Sequence, residues 1–191
     1  MSVTNKLLTL EEYLARDNDA EQHYELAAGN LTKMPPESPQ NAEIAIKLLL
    51  IFARFVSARL LRCKDTEIVV SGSRATVRLP DLMVLTEDLA NDLYSNNRSM
   101  INIDMLPPAL VVEVVSPGKA NRDRDYRYKR SEYAARGIAE YWIVDPEEEK
   151  LTVLLLNDGL YEENVYRNDN AIVSALFPQL ELTAKEIFIN E

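Results

Sequence analysis

The sequence predicts one mixed α/β domain, and three observations carry that prediction. The first is Ala109-Leu-Val-Val-Glu-Val-Val-Ser-Pro117, where six of the first seven residues are apolar and four are Val. That composition belongs to a strand covered on both faces, in the middle of a sheet. The second is an apolar periodicity running from Ser38 to about Arg62, which predicts a long helix lying on the sheet. The third is a set of turn signals between short strand-like runs, at Gly29-Asn30, Ser71-Gly-Ser73 and Asn157-Asp-Gly159. A chain of 191 residues has room for one sizeable core with small appendages. The whole of 1–191 therefore reads as a single domain, its core at about 20–175, without internal repeat, low-complexity run or linker.

Taken in order, Thr9 followed by Glu11, Glu12, Tyr13 and Leu14 reads as a short capped helix. His23 to Leu26 and Leu31 to Met34 form a hairpin about Gly29-Asn30, closed by Pro35-Pro36. Ser38 caps the long helix and Pro39 suits its first turn. Ile44, Leu48, Ile51, Phe55, Leu60 and Leu61 mark its apolar face. Beyond Lys64-Asp65 the texture turns to β: Glu67 to Val70, Ala75 to Leu79, then Leu82 to Leu85 after Pro80-Asp81. Thr86 to Asn97 is polar and reads as a loop with a helical turn. Pro107-Pro108 introduces the central strand and Ser116-Pro-Gly118 ends it. Arg122 to Arg136 is a highly charged helix with Gly137 just past its end. Glu140 to Val144 is a second buried strand, carrying the only Trp, and Asp145-Pro146 turns the chain. Leu151 to Leu156 and Leu160 to Tyr166 make a hairpin. The tail from Ala171 holds a short strand, a turn at Phe177-Pro178 and a last helical turn.

Composition excludes several kinds of chemistry. One cysteine, Cys63, rules out an intramolecular disulfide and any Cys-based metal cluster, and fits a reducing cytoplasm. One histidine, His23, rules out a multi-histidine zinc site. A metal ion would be held mostly by oxygen, which favours Mg²⁺ or Mn²⁺. Residues 1–14 lack a basic region followed by an apolar core, so no secretory signal is expected. The longest apolar run, Leu48 to Phe52, is too short to span a membrane. A net charge of −10 opposes generic binding to nucleic acid, so a nucleic-acid function needs a local basic patch.

Three charged residues stand out against this background. Glu113 lies inside the central apolar strand, where a buried carboxylate costs several kcal/mol unless a cation meets it. It faces either a basic side chain or metal, or else a wet edge of the sheet. Asp81 opens the preceding short strand, where a Pro-Asp pair also commonly just sets a turn. Lys129 sits in the charged helix with Asp125 four residues before it, a spacing that is usually a surface ion pair. Tyr126, Lys129 and Tyr133 share a helix face, however, and two tyrosines mark the side that packs on the sheet. Lys129 is then aimed at the sheet, and reaches Glu113 if this helix crosses back over that strand. Two carboxylates and a lysine converging on a strand edge suggest metal-assisted hydrolysis, with Asp81 and Glu113 as oxygen ligands and Lys129 positioning water or neutralising charge on phosphorus.

These residues carry a family resemblance. Pro80-Asp81, Glu113-Val-Val-Ser116-Pro117, Asp125-x-x-x-Lys129-x-x-x-Tyr133-x-x-x-Gly137-Ile138 and Glu140-Tyr-Trp-Ile-Val-Asp-Pro146 together resemble the Uma2 family, also called DUF820, a family of restriction endonucleases. Tyr24-Glu-Leu26, Gly29-Asn30 and Met34-Pro-Pro36 are similar to its N-terminal block, and the likeness covers about 9–187. The resemblance implies a restriction-endonuclease-like core of the PD-(D/E)xK superfamily, a mixed central sheet flanked by helices with additional hairpins. It also implies Mg²⁺ as cofactor, with Mn²⁺ as a possible substitute, DNA as substrate, and a homodimer. Asp81 matches the motif's Asp and Glu113 its second acid. The superfamily's lysine position, two residues on, is Val115, and the lysine has moved to Lys129 on the following helix. Glu25 matches an acidic position that ligates a metal or orients a ligand. Two departures concern accessory contacts: Pro39-Gln40-Asn41 where members often have a His, and Leu79 where they often have a basic or polar residue.

Arg122, Arg124, Arg127, Arg130 and Arg136 offer phosphate contacts beside such a site, or else form a solvated face balanced by Asp123, Asp125 and Glu132. The alternatives to a DNA endonuclease are a catalytically silent interaction or dimerisation module of the same fold, and a phosphohydrolase acting on a small phosphorylated molecule. The chain has no Gly-rich phosphate loop, which counts against ordinary nucleotide binding.

Overall fold

In the computed structural model, residues 7–16, 24–34, 36–70, 74–95 and 98–189 are described. His23, Pro35 and the turn expected at Ser71-Gly-Ser73 lie outside them. Two mixed sheets with helices against them make up the fold. The first has five strands, in the order β2 (Asn30–Lys33), β1 (Tyr24–Ala27), β5 (Thr76–Arg78), β4 (Glu67–Val70) and β7 (Met100–Ile101). The second has six, in the order β11 (Leu160–Arg167), β10 (Lys150–Asn157), β9 (Glu140–Asp145), β8 (Leu110–Val114), β6 (Leu82–Val84) and β3 (Leu61–Arg62). Among the described residues no helix is long and apolar enough to cross a membrane.

The expected central strand is β8, buried along its whole length between antiparallel β6 and parallel β9. A parallel neighbour needs a crossover, and the charged segment supplies it. That segment is one helical run: α4 (Lys119–Asp123), a π-helical turn (Arg124–Lys129) and α5 (Arg130–Arg136). It starts three residues before Arg122 and stops at Gly137, whose φ of 80° is the left-handed conformation expected there. The strand's alternation separates two cores. Leu110, Val112 and Val114 join Trp142, Leu48 and Phe52 on one face. Val111 and Val115 join Tyr133, Ile138 and Tyr141 on the other. Glu113 lies between Val111 and Val115, so it points to the face the crossover covers.

Several expectations shift in detail. The long helix α2 is Pro39–Phe52, capped by Ser38 as expected, and ends ten residues before Arg62. Leu60 and Leu61 enter opposite cores, which adjacent residues do in a strand and not on one helical stripe. After a 3₁₀ turn (Ala58–Leu60) the chain becomes β3, pairing Leu61 with Val84. Residues expected to be irregular form α3 (Glu87–Tyr94), capped by Thr86, with Leu89, Ala90 and Leu93 buried. The two-residue β7 had no counterpart in the sequence reading. The N-terminal hairpin turns at Ala28-Gly29, with φ of 50° and 83°, one residue earlier than expected. Gly29 is required there for a second reason: a Cβ would sit 3.1 Å from Leu7 Cβ and 3.2 Å from Leu8 O. The second hairpin turns at Asp158-Gly159. Short α1 (Leu10–Leu14) and α6 (Ala184–Phe188) both start with full capping boxes, Thr9 with Glu12 and Thr183 with Glu186. The short strand expected at Ala171 is a single bridge to Thr183.

Candidate active site

The register of β6 against β8 builds the site. Leu82 pairs with Val112, so one step outward sets Asp81 beside Glu113. The Val114 N–H donates to Asp81 Oδ2 at 2.6 Å and fixes that carboxylate. The helical run then brings Lys129 down on Glu113, Nζ to Oε2 at 2.7 Å. Sequence reasoning aimed Lys129 at this strand, and the side chain is 1% exposed. Tyr133, one turn further, donates its hydroxyl to Glu113 Oε1 at 2.6 Å. Both oxygens of Glu113 are thereby occupied. The π-helical turn suits this crowding, since such turns recur where a helix must re-aim side chains at a site.

Glu25 reaches the cluster from the other sheet. Its Oε1 lies 3.3 Å from Lys129 Nζ and accepts from the Leu79 N–H at 3.3 Å. Its Oε2 accepts from Arg78 Nη1 at 2.9 Å. Glu25 thus joins the site through Lys129 and Arg78, as a group that orients the lysine. Arg78 forks onto Glu132 of α5, with Nε and Nη2 each at 2.8 Å, and ties the first sheet to the helical run. Asp125 completes the shell. Its Oδ1 is 3.5 Å from Lys129 Nζ and 3.3 Å from Arg124 Nε, while its buried Oδ2 has no hydrogen-bond partner.

Electrostatics follow from this enclosure. Burial pushes the Glu113 carboxyl up, to about 8, against the pull of Lys129, and Asp81, Asp125 and Glu25 push the same way as burial. Asp125 is also raised, by burial first. Burial would raise Glu25 too, but Lys129, Arg78 and Arg124 together hold it below its ordinary value. Lys129 is raised, because Glu113, Glu25 and Asp125 outweigh the desolvation that would lower it.

Sequence reasoning missed four contributors. Arg78 is a charge in a fully buried strand, the signal that singled out Glu113, and could have been found the same way. Asp125 was read as a surface partner for Lys129 and as part of the motif spacing, not as a buried member of the cluster. Asn41, standing where the resemblance leads one to look for a His, donates Nδ2 to Val114 O and Val115 O, each at 3.4 Å, so the departure lies against the end of the Glu113 strand. Lys64 gave no signal, yet its ammonium is 2.9 Å from Asp81 Oδ1 and also meets Glu37.

The arginines separate. Arg124 alone borders the cluster, and with Glu25, Arg78, Tyr128 and Glu132 it lines a cavity of about 260 Å³. Arg122 pairs with Asp145 at 2.7 Å and with Glu148, and Arg130 with Glu163. Arg136 clamps the carbonyls of Val69, Asn102 and Met105. Arg127 is exposed, 3.8 Å from Asp123.

The donor chemistry admits a hard divalent ion. Among the described residues no three His, Cys, Asp or Glu side chains are arranged to hold a metal. Asp81, just before β6, and Glu113, in β8, are a pair of oxygen donors, and Mg²⁺ commonly takes one or two carboxylates while keeping its waters. The residues present therefore fit Mg²⁺ or Mn²⁺ as a two-carboxylate site.

The architecture is that of a nuclease-fold protein. A crystal structure titled as a putative nuclease belonging to DUF820, from Anabaena variabilis ATCC 29413, superposes with a TM-score of 0.71 at 17% identity, covering 95% of this chain and 97% of that one. The model of the Uma2 family, described as "Putative restriction endonuclease", matches residues 10–185, and the chain belongs to that family. A search of curated proteins gave no match.

Proposed function

We propose that the chain is a Mg²⁺-dependent endonuclease that hydrolyses DNA phosphodiester bonds at Asp81, Glu113 and Lys129. The observation that carries this reading is the convergence of those three side chains from two neighbouring strand segments and a helix, in a chain whose family is described as "Putative restriction endonuclease". In the reaction one water adds its oxygen to phosphorus, the ester bond breaks, and the departing oxygen takes a proton.

Asp81 and Glu113 hold the ion, which when bound supplies Lewis-acid polarisation of the phosphate and a lower pKa for the attacking water. The protein's own residues prepare that pair. Lys129 opposes the burial that would neutralise Glu113, Tyr133 orients Oε1, and the Val114 N–H pins Asp81. Glu25 and Arg78 brace Lys129 from the opposite sheet. One observation favours the silent module instead: every oxygen of Glu113 and Glu25 already has a partner within the protein. The test is incubation of supercoiled, linear and single-stranded DNA with the protein in Mg²⁺, Mn²⁺ or EDTA. Metal-dependent cleavage that vanishes in Glu113→Gln supports the endonuclease. Cleavage retained by that variant, or none on any substrate with either ion, favours the module.

A further inference from the structure

We propose that Lys64 is the cation that meets the substrate phosphate, while Lys129 stays with its carboxylates. This rests on the nuclease reading of the site and deepens it. An ammonium has three N–H donors, and Lys129 has three carboxylate neighbours, Glu113 at 2.7 Å, Glu25 at 3.3 Å and Asp125 at 3.5 Å. It is sealed from solvent, so touching a phosphate would break one of those contacts in a buried site. Lys129 is a positioning residue.

Lys64 has the opposite character. It reaches Asp81 Oδ1 at 2.9 Å from the turn after β3, and its side chain is 30% exposed. Its second partner is Glu37, from the segment leading into α2. A cation entering at Asp81 competes with this ammonium for Oδ1, which leaves the lysine beside the site and directed to any anion that arrives with the metal. Arg124, a further basic side chain at the edge of the cluster, pairs with Asp125.

The test uses full-length protein, a short fluorescent DNA duplex and the matching single strand, with Ca²⁺ in place of Mg²⁺ to suppress turnover. Affinity is measured by anisotropy against salt concentration. Each lost phosphate contact lowers the log–log slope by about 0.9 for duplex or about 0.7 for single strand. Lys64→Gln is expected to lose about one such unit and Lys64→Arg to keep it, while Lys185→Gln, on distant α6, leaves the slope unchanged. Mn²⁺ binding in the absence of DNA should tighten in Lys64→Gln, because the competing ammonium is gone. Tight DNA binding by the wild type with an unchanged slope in Lys64→Gln would overturn the assignment and leave the nuclease reading standing. Failure of the wild type to bind either DNA would overturn both.

Discussion

Replacing Lys129 by Met should destabilise the protein by about 3–5 kcal/mol at pH 9, and by less at pH 6. The perturbation keeps most of the side chain's volume and removes only the charge. At 2.7 Å the contact with Glu113 alone has a Coulomb energy of about 6 kcal/mol at an effective dielectric near 20, and two further carboxylates lie within 3.5 Å. Desolvating the ions offsets much of that gross attraction, but removing one partner strands the others, at about 3–5 kcal/mol. The pH dependence follows from Glu113. Its raised carboxyl, at about 8, takes up a proton as pH falls, and a neutral Glu113 no longer needs the ammonium. At pH 9 the variant must keep Glu113 protonated, at about 1.4 kcal/mol per pH unit above its value in the wild type, or bury an unpaired anion. Urea unfolding of both proteins at pH 6 and pH 9, without divalent ions, reads the effect directly. Adding Glu113→Gln to the variant should recover part of the loss, since contacting residues couple. A loss below about 1 kcal/mol at both pH values, or a double variant as weak as the summed singles, would refute the account of a tightly enclosed ammonium.

Other consequences follow from the same geometry. Because Glu25 is held below its ordinary carboxylate value, its contribution is complete above about pH 4.5 and drains as pH falls through the lowered value. The stability gap between wild type and Glu25→Gln should be widest near neutrality and narrow in acid, as read by denaturation across pH; a constant gap down to pH 3 would contradict it. Trp142→Ala should cost about 3–5 kcal/mol, because the ring is wholly buried against Phe52 and its Nε1–H donates to Glu140 at 2.6 Å. A near-neutral effect in thermal unfolding would remove β9 from the core.

The sequence made the centre of the molecule legible because each feature there is local. An apolar run with one carboxylate specifies a buried strand and raises the question of a partner for Glu113, and Lys129 with its tyrosines specifies a helix face. Those two patterns meet in the structure at 2.7 Å. What stayed hidden depends on long-range pairing. β3 exists because Val84 and Met83 offer a strand edge to Leu61 and Arg62, and nothing within residues 58–62 announces that edge. Lys64 comes to Asp81 only through that pairing, which places the turn after β3 beside the start of β6. The π-helical turn is likewise set by packing, and its sequence reads as ordinary helix. Arg78 was within reach, since an arginine flanked by Val77 and Leu79 in a short strand asks the same question that Glu113 did.

The most direct test of the central claim is calorimetric titration of Mn²⁺ into the wild type and into Asp81→Ala, with and without a short DNA duplex. The account predicts saturable binding by the wild type that Asp81→Ala loses. Absence of binding by the wild type at millimolar metal even with DNA present, or equal binding by both proteins, would contradict a divalent-ion site at Asp81 and Glu113.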